Sequence, residues 1–358
     1  MLRHYSPSGR EGKVANLLIA RMGELGFENV HLDRTGNVLG QTGTGPPTIL
    51  LCGHLDTVPG RLSVKTDGVR IWGRGAVDAK SSLAALLEAA SNFVQKPIDG
   101  RVIVAGVVEE EGRSTGVKGL IESGLKADYA IFGEPSGTDR ITIGYKGHLL
   151  LRITCKTPSV HASAPWTGCN SIERAYEIWK AIDNHPFEGE KGADSYWSVS
   201  SSITKISAGD ATNVVPGVCE TFLDIRVPPT TTCDRVLNEI EKVITDYRSA
   251  FPTLEVRWEV EDKIDPFEAD SRSLPVKALS LSVLKVLGRR PTLMRKTGTG
   301  DMNILGRALR VPIVTYGPGD SRLSHTTEEH VEISEYLSSI KVIEQAVREM
   351  VRLHKATT

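Results

Sequence analysis

Two kinds of apolar run alternate along the first third of this chain. Residues 48–52 (TILLC) and 101–108 (RVIVAGVV) are short and continuously apolar, the pattern of strands buried on both faces of a sheet, and 127–132 is a weaker run of that kind. Between them, residues 11–25 place Val14, Leu17, Leu18, Met22 and Leu25 on one helical stripe, and 81–94 is an Ala- and Leu-rich helix. Strands alternating with helices predict an α/β sheet covered on both sides. After Lys146-Gly147 the period changes. Leu149, Leu151, Ile153 and Cys155 alternate with polar neighbours, as in a half-buried strand. A helix over 171–182 follows, then strands near 198–207 and 218–227, a helix over 234–248, and an alternating strand through Leu254, Val256, Trp258 and Val260. The order β-α-β-β-α-β predicts a ferredoxin-like domain over 147–262, inserted into an α/β domain made of 1–146 and 263–358 that ends in a helix at 332–353. Residues 183–197 read as an exposed loop of the insert.

Composition narrows the class. A chain of 358 residues with 40% hydrophobic and 24% charged positions is globular. A net charge of −1 gives no global reason for nucleic-acid or membrane binding, and no apolar run approaches the roughly 18–20 residues of a membrane span. The five cysteines are odd in number and form no CxxC pair, which predicts reduced thiols and a cytoplasmic protein.

The chemistry sits where apolar runs end. His54 and Asp56, two apart after the first buried run, would point to the same side, so that the carboxylate can orient a metal-binding ring. Asp78 follows a Gly-rich turn, where one carboxylate can bridge two cations. Glu109, Glu110 and Glu111 cannot all face one way: one can reach a metal while a neighbour remains a proton acceptor. Glu134 follows a further apolar run, and His325 follows a Gly/Pro-rich turn. Clustered carboxylates repel unless cations neutralise them. Two His with several carboxylates suit two first-row cations, Zn²⁺ by default with Co²⁺ as an alternative, and amide hydrolysis is the expected reaction.

The segments GHLDTVP (53–59), GRGAVDAK (73–80), Glu109–Glu111, GEPS (133–136) and SHTTEE (324–329) resemble the M20 family of metallopeptidases and deacylases over essentially the whole chain. The resemblance implies a zinc-peptidase-like catalytic domain, with a mixed sheet flanked by helices, and a lid that also dimerises. It implies metal ligands His54, Asp78, Glu111, Glu134 and His325, with Asp78 bridging, Asp56 orienting His54 and Glu110 as general base. It makes the Asp78–Ala79 peptide a candidate for the cis form. From the insert it assigns His161 to the oxyanion of the other subunit's site, and Asn213 and Arg226 to substrate. Gly300, in the GTGD loop, is placed near the substrate. Independently, Arg226 shares a strand face with Glu220 and Asp224, opposite the apolar Cys219, Leu223, Ile225 and Val227. Family members usually carry another helix before Ser8-Gly9, so the chain is expected to begin inside that region.

Within the family the strongest likeness is to hydrolases that release lysine or ornithine from the γ-glutamyl linkage of a small acidic amino-group carrier protein. An acidic carrier would prefer a basic surface. The insert holds 11 Lys/Arg against 17 Asp/Glu, so docking would fall to clusters such as Arg289-Arg290, Arg295-Lys296, Arg307-Arg310 and Arg322. The alternatives are a small-molecule N-deacylase for acetylornithine or succinyl-diaminopimelate, a dipeptidase or aminopeptidase, and a non-catalytic binding protein. Glu134 argues toward the deacylases, and the retention of Glu110 and of every ligand argues against a binding protein. A homodimer or higher homo-oligomer is expected, without nucleic-acid or membrane partners.

Overall fold

A computed structural model describes residues 1–189 and 194–357. The strands and helices run in the order α1 (Gly12–Glu24), β1 (Glu28–Leu32), β2 (Val38–Thr42), β3 (Thr48–His54), β4 (Lys65–Thr66), β5 (Arg70–Trp72), α2 (Lys80–Gln95), β6 (Arg101–Val107), α3 (Thr115–Glu122), β7 (Tyr129–Phe132) and β8 (Arg140–Tyr145). Then come β9 (Gly147–Lys156), β10 (Val160–His161), α4 (Ser171–Asp183), β11 (Ser200–Ala208), β12 (Val214–Val215), β13 (Val218–Val227), α5 (Cys233–Ser249), β14 (Glu255–Ile264) and β15 (Phe267–Glu268). The chain closes with α6 (Leu274–Leu287), β16 (Thr292–Lys296), α7 (Asp301–Leu309), β17 (Ile313–Thr315), β18 (His330–Glu332) and α8 (Ile333–Lys355). It divides into two compact units.

Unit 1 comprises Met1–Ile143, Ala269–Arg295 and the chain from Gly300 onward. Its sheet has the order β1-β2-β6-β3-β7-β17-β8. β3 pairs in parallel with both β6 and β7, and β17 in parallel with β7, while β1, β2 and β8 add antiparallel edges. The sheet is therefore mixed. Ile49, Leu50, Leu51 and Cys52 are fully buried, as a continuously apolar central strand must be. α2 packs against β3 and α8. Its Ala- and Leu-rich composition suits it: helix propensity is high, and Leu83, Leu86, Ala90 and Phe93 form the buried stripe. Four elements carried no clear periodic signal. The β1–β2 ribbon has an outer strand that is largely exposed, α7 begins in a Gly-rich segment, and α6 is apolar on nearly every side.

Unit 2 comprises Gly144–Glu268 with Lys296–Thr299. Its antiparallel sheet has the order β11-β13-β9-β14 and carries α4 and α5. The alternation in β9 and β13 resolves as designed by period two: Leu149, Leu151, Cys219, Leu223 and Ile225 are buried against Ile178 and Ile240 of the helices. Asn170 and Thr232 cap α4 and α5 by accepting from the amides of Ile172 and Arg235. The unit is wider than 147–262 because its two ends zip together, with Tyr145 opposite Phe267 and Gly144 opposite Glu268. Of the loop expected over 183–197, residues 190–193 lie outside the described residues, α4 runs to Asp183, and 194–197 form a turn closed by Trp197 N–H donating to Asp194 O (3.0 Å).

Candidate metal centre

Parallel pairing sets His54 beside Val107 and Cys52 beside Phe132, so β3, β6 and β7 deliver their carboxyl ends to one place in unit 1. His54 ends β3, Glu109–Glu111 follow β6, and Glu134 lies two residues beyond β7. Glu109 takes a left-handed backbone (φ 56°), which breaks the acidic run. Its carboxylate turns aside to accept from Thr115 Oγ1 (2.8 Å), leaving Glu110 and Glu111 to the site.

Two trios result. Within each, ligand atoms lie within 4.8 Å of one another: His54, Glu110 and Glu134 in the first, Asp78, Glu111 and His325 in the second. Asp78 joins them, with Oδ1 3.3 Å from His54 Nε2 and Oδ2 3.2 Å from His325 Nε2. His54 Nε2 is also 3.4 Å from Glu134 Oε1, and His325 Nε2 is 2.9 Å from Glu111 Oε1. The Asp78–Ala79 peptide is cis.

Asp56 is fully buried and acts as a bracket. Its carbonyl oxygen receives His54 Nδ1 at 3.0 Å, while its carboxylate accepts from the amides of Glu110 (3.1 Å) and Glu111 (3.0 Å) and from Ser8 Oγ (2.7 Å). The ring is thus gripped chiefly by the main chain of Asp56, and the side chain fixes the acidic segment. Glu329 does the corresponding work for Asp78. Its buried Oε1 accepts from the amides of Gly75, Val77 and Asp78 (2.9, 3.0 and 3.1 Å), and Oε2 accepts from Arg74 Nη1 (2.7 Å). One carboxylate therefore ties the Asp78 turn to the segment bearing His325.

The field is strongly negative. Burial disfavours charge on His54, yet Asp56, Asp78 and Glu134 outweigh it and hold the ring's pKa well above the ordinary value. Asp78 and Glu111 push His325 up to about 10. Burial works to raise Asp78, but His325 and His54 drive it far below the carboxylate range. Burial and then Glu134 raise Glu110 well above its usual value. Asp301, buried at the start of α7, is pushed up to about 7 by desolvation, with Asp56 and Glu134 adding to it.

The donors fit divalent cations. His54 Nε2 is buried and makes no hydrogen bond, although carboxylate oxygens stand 3.3 and 3.4 Å away. That spacing suits donors converging on an ion better than donors bonded to each other. The mixed N/O set suits zinc or a neighbouring first-row metal.

The remaining sequence candidates are placed as follows. Gly300 lies in unit 1, where a Cβ would stand 3.1 Å from Glu110 Oε1, and the adjacent Asp301 N–H donates to that oxygen at 3.3 Å. His161, Asn213 and Arg226 belong to unit 2 and to neither trio. β10 pairs with β12, and Ala162 N–H donates to Asn213 O (2.9 Å), so His161 and Asn213 come together in that unit. His161 is exposed, with Ser163 Oγ 2.7 Å from Nδ1. Arg226 is held by Asp224 through two bonds (2.7 and 2.9 Å) and reaches Thr299 Oγ1 at 3.2 Å. Sequence reasoning missed Ser8, Glu329 and Asp301. Glu329 is adjacent to Glu328 in one acidic pair, and only burial separates the hub from its exposed neighbour.

A mixed α/β sheet whose strand ends gather two carboxylate–histidine trios is the framework of a metal-dependent amide hydrolase. The chain belongs to Peptidase family M20/M25/M40, whose model matches residues 50–349. It is 37% identical over 346 residues to the "Putative [LysW]-lysine/[LysW]-ornithine hydrolase" of Pyrococcus furiosus, covering 97% of this chain and 94% of that one. It is 33% identical over 352 residues to the "[LysW]-lysine/[LysW]-ornithine hydrolase" of Sulfurisphaera tokodaii, covering 98% and 93%. Among solved structures, a Staphylococcus aureus tripeptidase superposes with a TM-score of 0.81 at 22% identity, covering 97% of this chain and 95% of that one.

Proposed function

We propose that this protein releases L-lysine, L-ornithine or both from the C-terminal γ-glutamyl linkage of the carrier protein LysW, using two divalent cations, in cytoplasmic lysine or arginine synthesis. The observation that carries the reading is near-full-length similarity to relatives named for that hydrolysis in a chain that keeps both trios intact. His54 and Glu134 would hold one cation, Glu111 and His325 the other, and Asp78 both, since its two oxygens face different imidazoles. When bound, the cation pair would polarise the scissile carbonyl and acidify water. Zinc is the proposed metal, with cobalt as a substitute.

Glu110 is the base in this reading. With its carboxylate among the ligand atoms of the first trio, it would take a proton from attacking water and return it to the departing α-amine. The α7 amide at Asp301 holds the carboxylate in place. His161, from the second subunit of a homodimer, would donate to the developing oxyanion, and Arg226 with Asn213 would anchor the substrate. Asp224 keeps the Arg226 guanidinium aimed along one strand face.

The test is to offer LysW-lysine, LysW-ornithine, N-acetylornithine and N-succinyl-diaminopimelate with Zn²⁺ or Co²⁺. Release of amino acid from the conjugates is expected, and turnover confined to the free small molecules would overturn the reading. Glu110→Gln should keep near-normal metal content while turnover falls by about two to four orders of magnitude.

A further inference from the structure

A pocket of about 570 Å³ opens on unit 1, lined in part by Arg3, Tyr5, Arg61, Ser63, Val64 and Arg74 and by no member of either trio. No Asp or Glu lines it, and among the described residues neither Arg3 nor Arg61 has an ion-pair partner. Its walls are fixed. Thr57 N–H donates to Ser6 O (3.0 Å), Ser6 Oγ to Leu55 O (2.8 Å), and Gly60 N–H to Tyr5 Oη (3.1 Å). Arg74 is nearly buried and spends Nε on Gly60 O and Nη1 on Thr326 O and Glu329, while its Nη2 makes no hydrogen bond among the described residues. Because Tyr5 Oη accepts from Gly60, its own O–H is left to donate. Two exposed guanidiniums without an ion-pair partner among the described residues, the Nη2 of the Glu329-paired Arg74, a phenol and the Ser63 hydroxyl therefore line one pocket that has no acidic residue in its lining.

We infer that this pocket is a second ligand site, distinct from the metal centre, which binds a carboxylate or phosphate group. Arginine suits such oxyanions by its planar fork of donors, and the space is ample for an organic anion. The group could belong to a free small molecule or to an acidic peptide segment, and both present the same oxygens.

The test is calorimetric titration of the metal-loaded enzyme with inorganic phosphate and, separately, with a hexaglutamate peptide at low, fixed ionic strength. Saturable binding of at least one probe is expected. It should weaken about ten-fold or more in the R3A/R61A double variant, which leaves Arg74 and its hold on Glu329 untouched. Metal content and melting temperature of that variant should match the parent. Tighter binding of phosphate assigns a free anion, and tighter binding of the peptide assigns an acidic segment. Absence of saturable binding, or binding that survives in R3A/R61A as anion capture by the bound cations would, overturns the site. Charge reversal by R61E alone should abolish binding of either probe, and unchanged affinity there also overturns it.

Discussion

At the scale of single residues, the molecule sets charges against burial and then fixes each with a named partner. Asp224 is the plainest case. Burial tends to raise its pKa, but His148 and Arg226 bring it down to about 2, below the ordinary 3.8. A depressed carboxylate stabilises the fold above its unfolded-state pKa, and that contribution disappears as pH falls through the folded-state value. Asp224→Asn should therefore unfold at lower denaturant concentration than the parent at pH 6, and the two midpoints should converge between about pH 4 and pH 2. Glu110 and Gly300 give a second case. With Cβ space of only 3.1 Å before Glu110 Oε1, Gly300→Ala should displace the carboxylate, lowering kcat about ten-fold or more while metal content stays near two ions per chain. Loss of metal in that variant would mean that Glu110 serves as a ligand.

At the scale of elements, the turn 73–78 and the segment 324–329 act as one piece because Glu329 clamps them. Glu329→Gln keeps the volume but gives up the ion pair to Arg74 and forces an amide N–H into a ring of donors. A loss of about 1–3 kcal/mol is expected, read by chemical denaturation, together with weaker metal retention on dialysis. The sequence made the strand ends legible because buried parallel strands are continuous apolar runs, and the acids that follow them stand out. That pattern singles out His54, the acidic run 109–111 and Glu134, whereas the choice of Glu111 within the run, and the ligand set with Asp78 and His325, came from the resemblance to the M20 family. Glu329 and Asp301 could not, since each lies in a polar stretch and owes its role to burial imposed by distant segments. β1, β2, α6 and α7 escaped for a related reason. An exposed edge ribbon, an all-round apolar helix and a helix opening on Gly-Thr-Gly lack the period that identifies an element.

At the scale of the whole molecule, the acidic centre is expected to make stability depend on cations. Carboxylates held at these distances repel one another, and ions that bind only the folded state favour it by mass action. Dialysis against a strong chelator should lower the melting temperature by several degrees or more, and Zn²⁺ or Co²⁺ should restore it. Mg²⁺, which prefers all-oxygen octahedra, should restore it poorly.

The zipped ends of unit 2 have a consequence for the gene as well as for the fold. The segment leaves and returns through neighbouring backbone, and on the unit 1 side Ala269 N–H donates to Ile143 O at 2.7 Å. A splice of Ile143 to Ala269 through a short turn therefore asks little rearrangement of the remaining sheet. Excision and reinsertion at this seam is a route by which unit 1 could exchange the Gly144–Glu268 insert for another, with Lys296–Thr299 the remaining piece of unit 2 to be accommodated.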